Sequence, residues 1–148
     1  MTRTDARELA VQLTFMSDFS DESPEQMLER LFEGTYYRTL AAEFRLFEES
    51  PNKKQKEYIC NLVSGVAAHK AEFDENISRY SIGWRLDRIS PLCKAVMRVA
   101  MYEMLFVEDV PDSVAIHEAV ELARRYEDED AVAFVNGLLG AFVRGVRS

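Results

Sequence analysis

Ser90-Pro91-Leu92-Cys93-Lys94-Ala95-Val96-Met97-Arg98-Val99-Ala100 reads as a helix from its first residue. The serine offers a side-chain oxygen to a backbone N–H of the first turn, and the proline stands where no donor is needed. Leu92, Ala95, Val96, Val99 and Ala100 then return at three- and four-residue steps, the spacing of one helix face.

The pattern extends in both directions. Downstream, Val110-Pro111-Asp112-Ser113 is a turn and cap, after which Ile116, Val120 and Ala123 carry a second helix. Glu127-Asp128-Glu129-Asp130 then sets acid against the positive end of a last helix. Phe134, Leu138, Ala141 and Phe142 form that helix's apolar face. Upstream, Tyr58, Leu62, Val66, Phe73, Ile77 and Tyr80 predict one long helix from about Lys53 to Tyr80. The clearest loop is Glu48-Glu49-Ser50-Pro51-Asn52, preceded by a segment holding Leu40, Phe44 and Phe47.

Ser23-Pro24-Glu25-Gln26 carries a capping-box signature, with Met27, Leu28, Leu31 and Phe32 turned inward and Gly34 as a stop. A first helix from about Thr4 to Asp18 places Ala6, Leu9, Ala10, Leu13 and Met16 on one face, with Val11, Phe15 and Phe19 beside it. No segment alternates with period two and no repeat is visible. About seven helices in an all-α chain require bundle packing, and residues 1–148 read as one domain. The loop near Pro51 is at most a junction between layers.

Composition narrows the function classes. The chain has 148 residues, 47% hydrophobic and 30% charged, which is globular. Its apolar runs are too short to span a bilayer, and Met1 to Ala10 holds no signal-peptide stretch, so the expected location is cytoplasmic. The formal net charge of -8 argues against indiscriminate nucleic-acid binding, because a polyanion needs a basic surface. Any RNA contact would need directed groups or a basic helper. Cys60 and Cys93 read as small core residues of a reducing compartment.

Catalytic constellations are missing. His117-Glu118-Ala119-Val120-Glu121 lacks the second imidazole of a zinc-hydrolase helix, since Glu121 stands in its place. Val66 and Val114 occupy the positions three before His69 and His117 where a di-iron bundle would need Glu. No Gly-rich phosphate loop and no nucleophile–base set occurs. The reading is a binding protein, not an enzyme, with no metal and no cofactor. A helix-turn-helix reading fails on charge, because Glu118 and Glu121 would face the phosphates.

The basic residues fall into small groups. Arg3 and Arg7 lie one turn apart at a positive helix end, where a dipole gives them no employment, and this points to a polyanion. Lys94 and Arg98 are likewise one turn apart. Arg124 and Arg125 close a helix, where cations satisfy carbonyls.

These segments carry a resemblance. Trp84-x-x-x-Arg88-Ile89, the run Lys94 to Glu103, Val110-Pro111, Val114-Ala115-Ile116-His117-Glu118-Ala119-Val120-Glu121-Leu122-Ala123 and Phe134-Val135-Asn136-Gly137-Leu138-Leu139 resemble the NusB family of bacterial antitermination factors. The first half agrees more loosely, through Ala6-Arg7-Glu8, Ala10-Val11-Gln12 and Gly65-Val66.

The resemblance implies two small helical bundles packed together. It also implies binding of boxA-type single-stranded RNA jointly with NusE, a small-subunit ribosomal protein. Such a complex promotes read-through by RNA polymerase, notably in rRNA operons, with other Nus factors as indirect partners and a homodimer as a form of the free protein. Carried over residue by residue, it implies RNA contacts at Arg3, Arg7, Phe15, Lys94, Asp130 and Phe134. A NusE-facing surface would hold Tyr80 and Trp84. Departures include Thr4 and Asp5 between the two arginines, His117 where Asn is usual, and Glu127 where Gly often stands. The alternatives are an RNA-binding module of the rRNA methyltransferase type and a helical interaction protein without RNA binding.

Overall fold

The computed structural model describes residues 1–33, 50–81, 83 and 89–148. The expected stop at Gly34, the helix of Leu40, Phe44 and Phe47, and Trp84, Arg85 and Arg88 lie outside the described residues. Seven helices and no strand occur among the described residues. They fall in two compact units, Met1–Ala67 and Ala68–Ser148, each with its own packing. The division comes at the end of a helix near His69 rather than at the Pro51 loop.

In the first unit, α1 (Arg3–Ser17) opens on a capping box. Thr2 Oγ1 accepts from the Asp5 N–H at 3.0 Å, and Asp5 Oδ2 accepts from the Thr2 N–H at 3.3 Å. Ala6, Leu9, Ala10, Val11 and Leu13 are buried, whereas Met16 and Phe19 are exposed. The expected stripe therefore lapses in the last turn, where Asp18 caps the helix and its N–H reaches the carbonyls of Phe15 and Met16.

Helix α2 (Pro24–Phe32) has the box foreseen for Ser23 and Gln26, with both bonds at 3.1 Å, and it buries Met27, Leu28 and Leu31. Helix α3 (Lys53–Ala68) is opened by a reciprocal pair that the loop reading missed. Asn52 Oδ1 accepts from the Gln55 N–H and Gln55 Oε1 from the Asn52 N–H, each at 2.9 Å. Its core face is Ile59, Leu62, Val63 and Val66, with Tyr58 half-buried.

The long helix expected from Lys53 to Tyr80 is two helices. It breaks at His69, whose φ of -111° and ψ of 13° leave helical geometry, and α4 (Lys70–Tyr80) begins afresh. The apolar stripe hides the break because Val66 and Phe73 stand seven residues apart, two helical turns.

Three further helices complete the second unit. Helix α5 (Pro91–Phe106) is capped by Ser90, whose Oγ accepts from the Cys93 N–H at 3.0 Å. The same hydroxyl donates to Glu127 Oε1. Ala95, Val96, Val99 and Ala100 are buried as expected, together with Met97, Met101 and Met104, while Leu92 is only half-buried.

Helix α6 (Asp112–Tyr126) faces inward on Ala115, Ala119, Leu122 and Ala123, so the expected Ile116 and Val120 are half-buried flanks. This helix packs against both its neighbours, and alanines a turn apart let two backbones approach where branched residues would not. Helix α7 (Glu129–Arg147) starts at Asp128, whose Oδ1 accepts from the Ala131 N–H at 2.9 Å. It buries Val132, Phe134, Val135, Leu138, Leu139 and Phe142 and packs against α4, α5 and α6. Ala141 is half-buried. No described helix is long and apolar enough to cross a membrane.

Candidate nucleic-acid interface

Each unit is considered by itself. In the first, the turn that separates Arg3 from Arg7 also separates two depths. Arg3 is exposed, and its guanidinium carbon lies 4.0 Å from the centroid of the Tyr58 ring. That cation–π contact gives the side chain a place against α3. Arg7 is buried at 4% exposure beside the equally buried Glu8. Both arginines thus have structural employment that the helix-dipole argument did not foresee. Phe15 is half-buried, and its ring meets Phe19 edge-on at 5.1 Å and 66°.

The second unit repeats the contrast. Lys94 is half-buried on α5. Arg98, one turn on, is no surface partner for it, because its Nε donates to Asp74 Oδ1 at 2.8 Å and its side chain is 5% exposed. Asp130 is exposed in the first turn of α7, at the positive end of the helix dipole. Phe134, one turn later, is 3% exposed and belongs to the core.

Tyr80 is half-buried against α7. Its ring stands edge-on to Phe142 at 6.1 Å and 83°, and its hydroxyl lies over Gly145. A Cβ at Gly145 would come 2.0 Å from that oxygen, so only glycine fits beneath the ring as placed. Trp84 lies outside the described residues.

Two features escaped the sequence reading. Arg147 gathers three helix ends: Nε donates to Asp112 Oδ2 at 3.0 Å, and Nη2 donates to Asp112 Oδ1 at 3.0 Å and to the Met104 carbonyl at 2.7 Å. Beside it, next to Val110 and Pro111, is an open cavity of about 400 Å³. An arginine in a last helical turn is too common a sight to signal such a fork. The cysteines also differ. Burial, reinforced by Glu127 and Asp128, pushes the Cys93 thiol up to about 12. Burial raises Cys60 as well, against a lowering pull from Lys56.

Helix upon helix, without a strand among the described residues, defines an all-helical protein of the NusB-like fold. The chain belongs to the NusB family, whose model matches residues 4–144. The transcription antitermination protein NusB of Symbiobacterium thermophilum is 41% identical over 99% of this chain and 92% of its own. T. maritima NusB superposes with a TM-score of 0.77 at 34% identity, over 97% of this chain and 92% of that one. A crystal structure of antitermination factors NusB and NusE in complex with dsRNA matches with a TM-score of 0.74 at 24% identity. It covers 97% of this chain and 96% of that one, a likeness of fold. The chain shares the function class of its relatives, transcription antitermination, and the family is not one of enzymes.

Proposed function

We propose that this chain acts in the cytoplasm by binding boxA-type single-stranded RNA jointly with NusE, so that RNA polymerase reads through terminators, notably in rRNA operons. The observation that carries the reading is the family match over residues 4–144 in a chain of net charge -8. An acidic protein of this class needs directed cations and a basic partner to hold a polyanion.

In the first unit, the exposed Arg3 is suited to a phosphate and Phe15 offers part of a ring to a base. Arg7, at 4% exposure, acts from below, orienting the start of α1. In the second unit, Lys94 is suited to a phosphate and Asp130 to an exocyclic amine of an unstacked base. Phe134 holds Asp130's helix in place from the core. Tyr80 and Trp84 are proposed for the NusE-facing surface, where an aromatic anchor would concentrate binding energy.

The test is fluorescence anisotropy of a short boxA RNA against the protein, with and without NusE, across a salt series. The expected result is sequence-dependent binding that tightens with NusE. Absence of such binding even with NusE would sink the proposal.

A further inference from the structure

The corner where α1 passes into α2 has two properties that belong together. It exposes Phe19 at 69% and Met16 at 43%, the two large hydrophobic side chains left open in the described part of the first unit. Phe15 braces the Phe19 ring edge-on at 5.1 Å, which steadies it and leaves most of it in water. Around it, residues 18–33 carry Asp18, Asp21, Glu22, Glu25, Glu29 and Glu33 against a single base, Arg30. Six carboxylates and one guanidinium make five of the chain's eight net negative charges. Arg30 Nη2 lies 2.7 Å from Glu22 Oε1, so the one base is turned onto an acid of its own corner. Glu25 and Glu29 stand one turn apart on α2 and are both exposed.

We infer that this corner docks a cationic, apolar-anchored segment of another protein. Exposed Phe and Met are the side chains that interfaces concentrate, and Met adapts to irregular partners. Charge selects among the occupants of such a surface. RNA would bring phosphates against the acidic rim. A second copy would bring the same acidic corner, or another part of a chain that is itself of net charge -8. A Lys- or Arg-rich segment with one apolar anchor meets both the ring and the rim, and the rim would speed its approach at low salt. The surface adjoins Phe15, the ring proposed above for a base, but its exposed Phe19 and its acidic rim are not among those RNA contacts.

The experiment uses the full chain, isotopically labelled, titrated with a synthetic amphipathic Lys/Leu peptide, its Glu/Leu counterpart, and a short single-stranded RNA. The Lys/Leu peptide is expected to shift amide signals of residues 15–20 and 25–33, and to bind more weakly as salt rises. Phe19→Ser should weaken it about tenfold, as loss of an aromatic anchor does. The double change Glu25→Gln, Glu29→Gln should flatten the salt dependence. Phe106→Ser, which removes a comparably exposed ring from the second unit, should leave binding unchanged. Peptide binding indifferent to Phe19→Ser overturns the inference, as does RNA shifting the signals of residues 19–20 and 25–33 in the peptide's place. Loss of self-association in Phe19→Ser would assign the surface to a second copy and overturn it equally.

Discussion

Helix α1 and the α6–α7 pair solve the same problem with different residues. Helices α6 and α7 bury an uninterrupted apolar set, with Ala115, Ala119 and Ala123 between heavier neighbours, whereas α5 buries Arg98 and Glu103 among its apolar residues. Helix α1 buries Ala6, Leu9, Ala10 and Leu13, but takes Arg7, Glu8 and Thr14 down with them. A buried charge is tolerable only when partnered, so Arg7 and Glu8 put a polar requirement on α1 beside its packing, while the Thr14 hydroxyl is buried without a hydrogen-bond partner among the described residues. In α6 and α7, position follows from shape. The difference teaches that a turn-spaced pair of residues shares a direction on a helix without sharing a depth. Arg3 and Arg7 show it in one region, Asp130 and Phe134 in the other.

The comparison can be broken most severely through the apolar region. Phe142 is fully buried, and Phe142→Ala should cost about 3–5 kcal/mol in urea denaturation. A much smaller loss would mean that the α6–α7 pair collapses around the gap and that shape is not what sets it.

Next comes the polar pairing of α1. Arg7→Ala should lower stability by about 1–3 kcal/mol because it removes a buried side chain and the donors it carries, and it should weaken RNA binding. Arg3→Ala should leave thermal melting nearly unchanged while making the RNA salt slope shallower by about one unit, the mark of one lost phosphate contact. Equal behaviour of the two variants would erase the distinction between depth and direction.

Gly145→Ala sharpens the account of shape. The new Cβ meets the Tyr80 ring, and the overpacking should cost about 1–2 kcal/mol. Pairing it with Tyr80→Leu should recover most of the loss relative to Tyr80→Leu alone, which a double-mutant cycle reads directly.

The smallest effect concerns the two thiols. Cys93, pushed up to about 12, should label far more slowly with a disulfide reagent at pH 8 than Cys60. The thiol is held neutral in the folded chain and ionises nearer its ordinary value of 9.0 once unfolded. The unfolded chain then binds fewer protons, so this contribution is complete below about pH 9 and fades as pH rises toward 12. Urea midpoints of the parent and Cys93→Ala chains should converge over that window.

Helix starts were the most legible part of the sequence. Ser23 with Gln26, Ser90 with Pro91, and the acids before α7 act through residues one to three places away, so local spacing contains the whole interaction. The break at His69 was illegible because the apolar period runs straight across it. The inward face of α6 was misread by a residue, since periodicity favours bulky Ile116 and Val120 over the alanines that close packing selects. The site was legible only as a set of candidates. Whether Arg98 meets a phosphate or Asp74, 24 positions away, is decided by how α4 and α5 pack.

One guanidinium has a consequence for motion. Terminal turns of helices ordinarily fray, because their last carbonyls lack partners. Arg147 fastens the final turn of α7 to the Met104 carbonyl near the end of α5 and to Asp112 in the first turn of α6. Amide hydrogens in that turn should therefore exchange with solvent as slowly as those of a helix interior. A lysine at the same position, unable to span the carboxylate and the carbonyl with one planar fork, would let the three helix ends open independently.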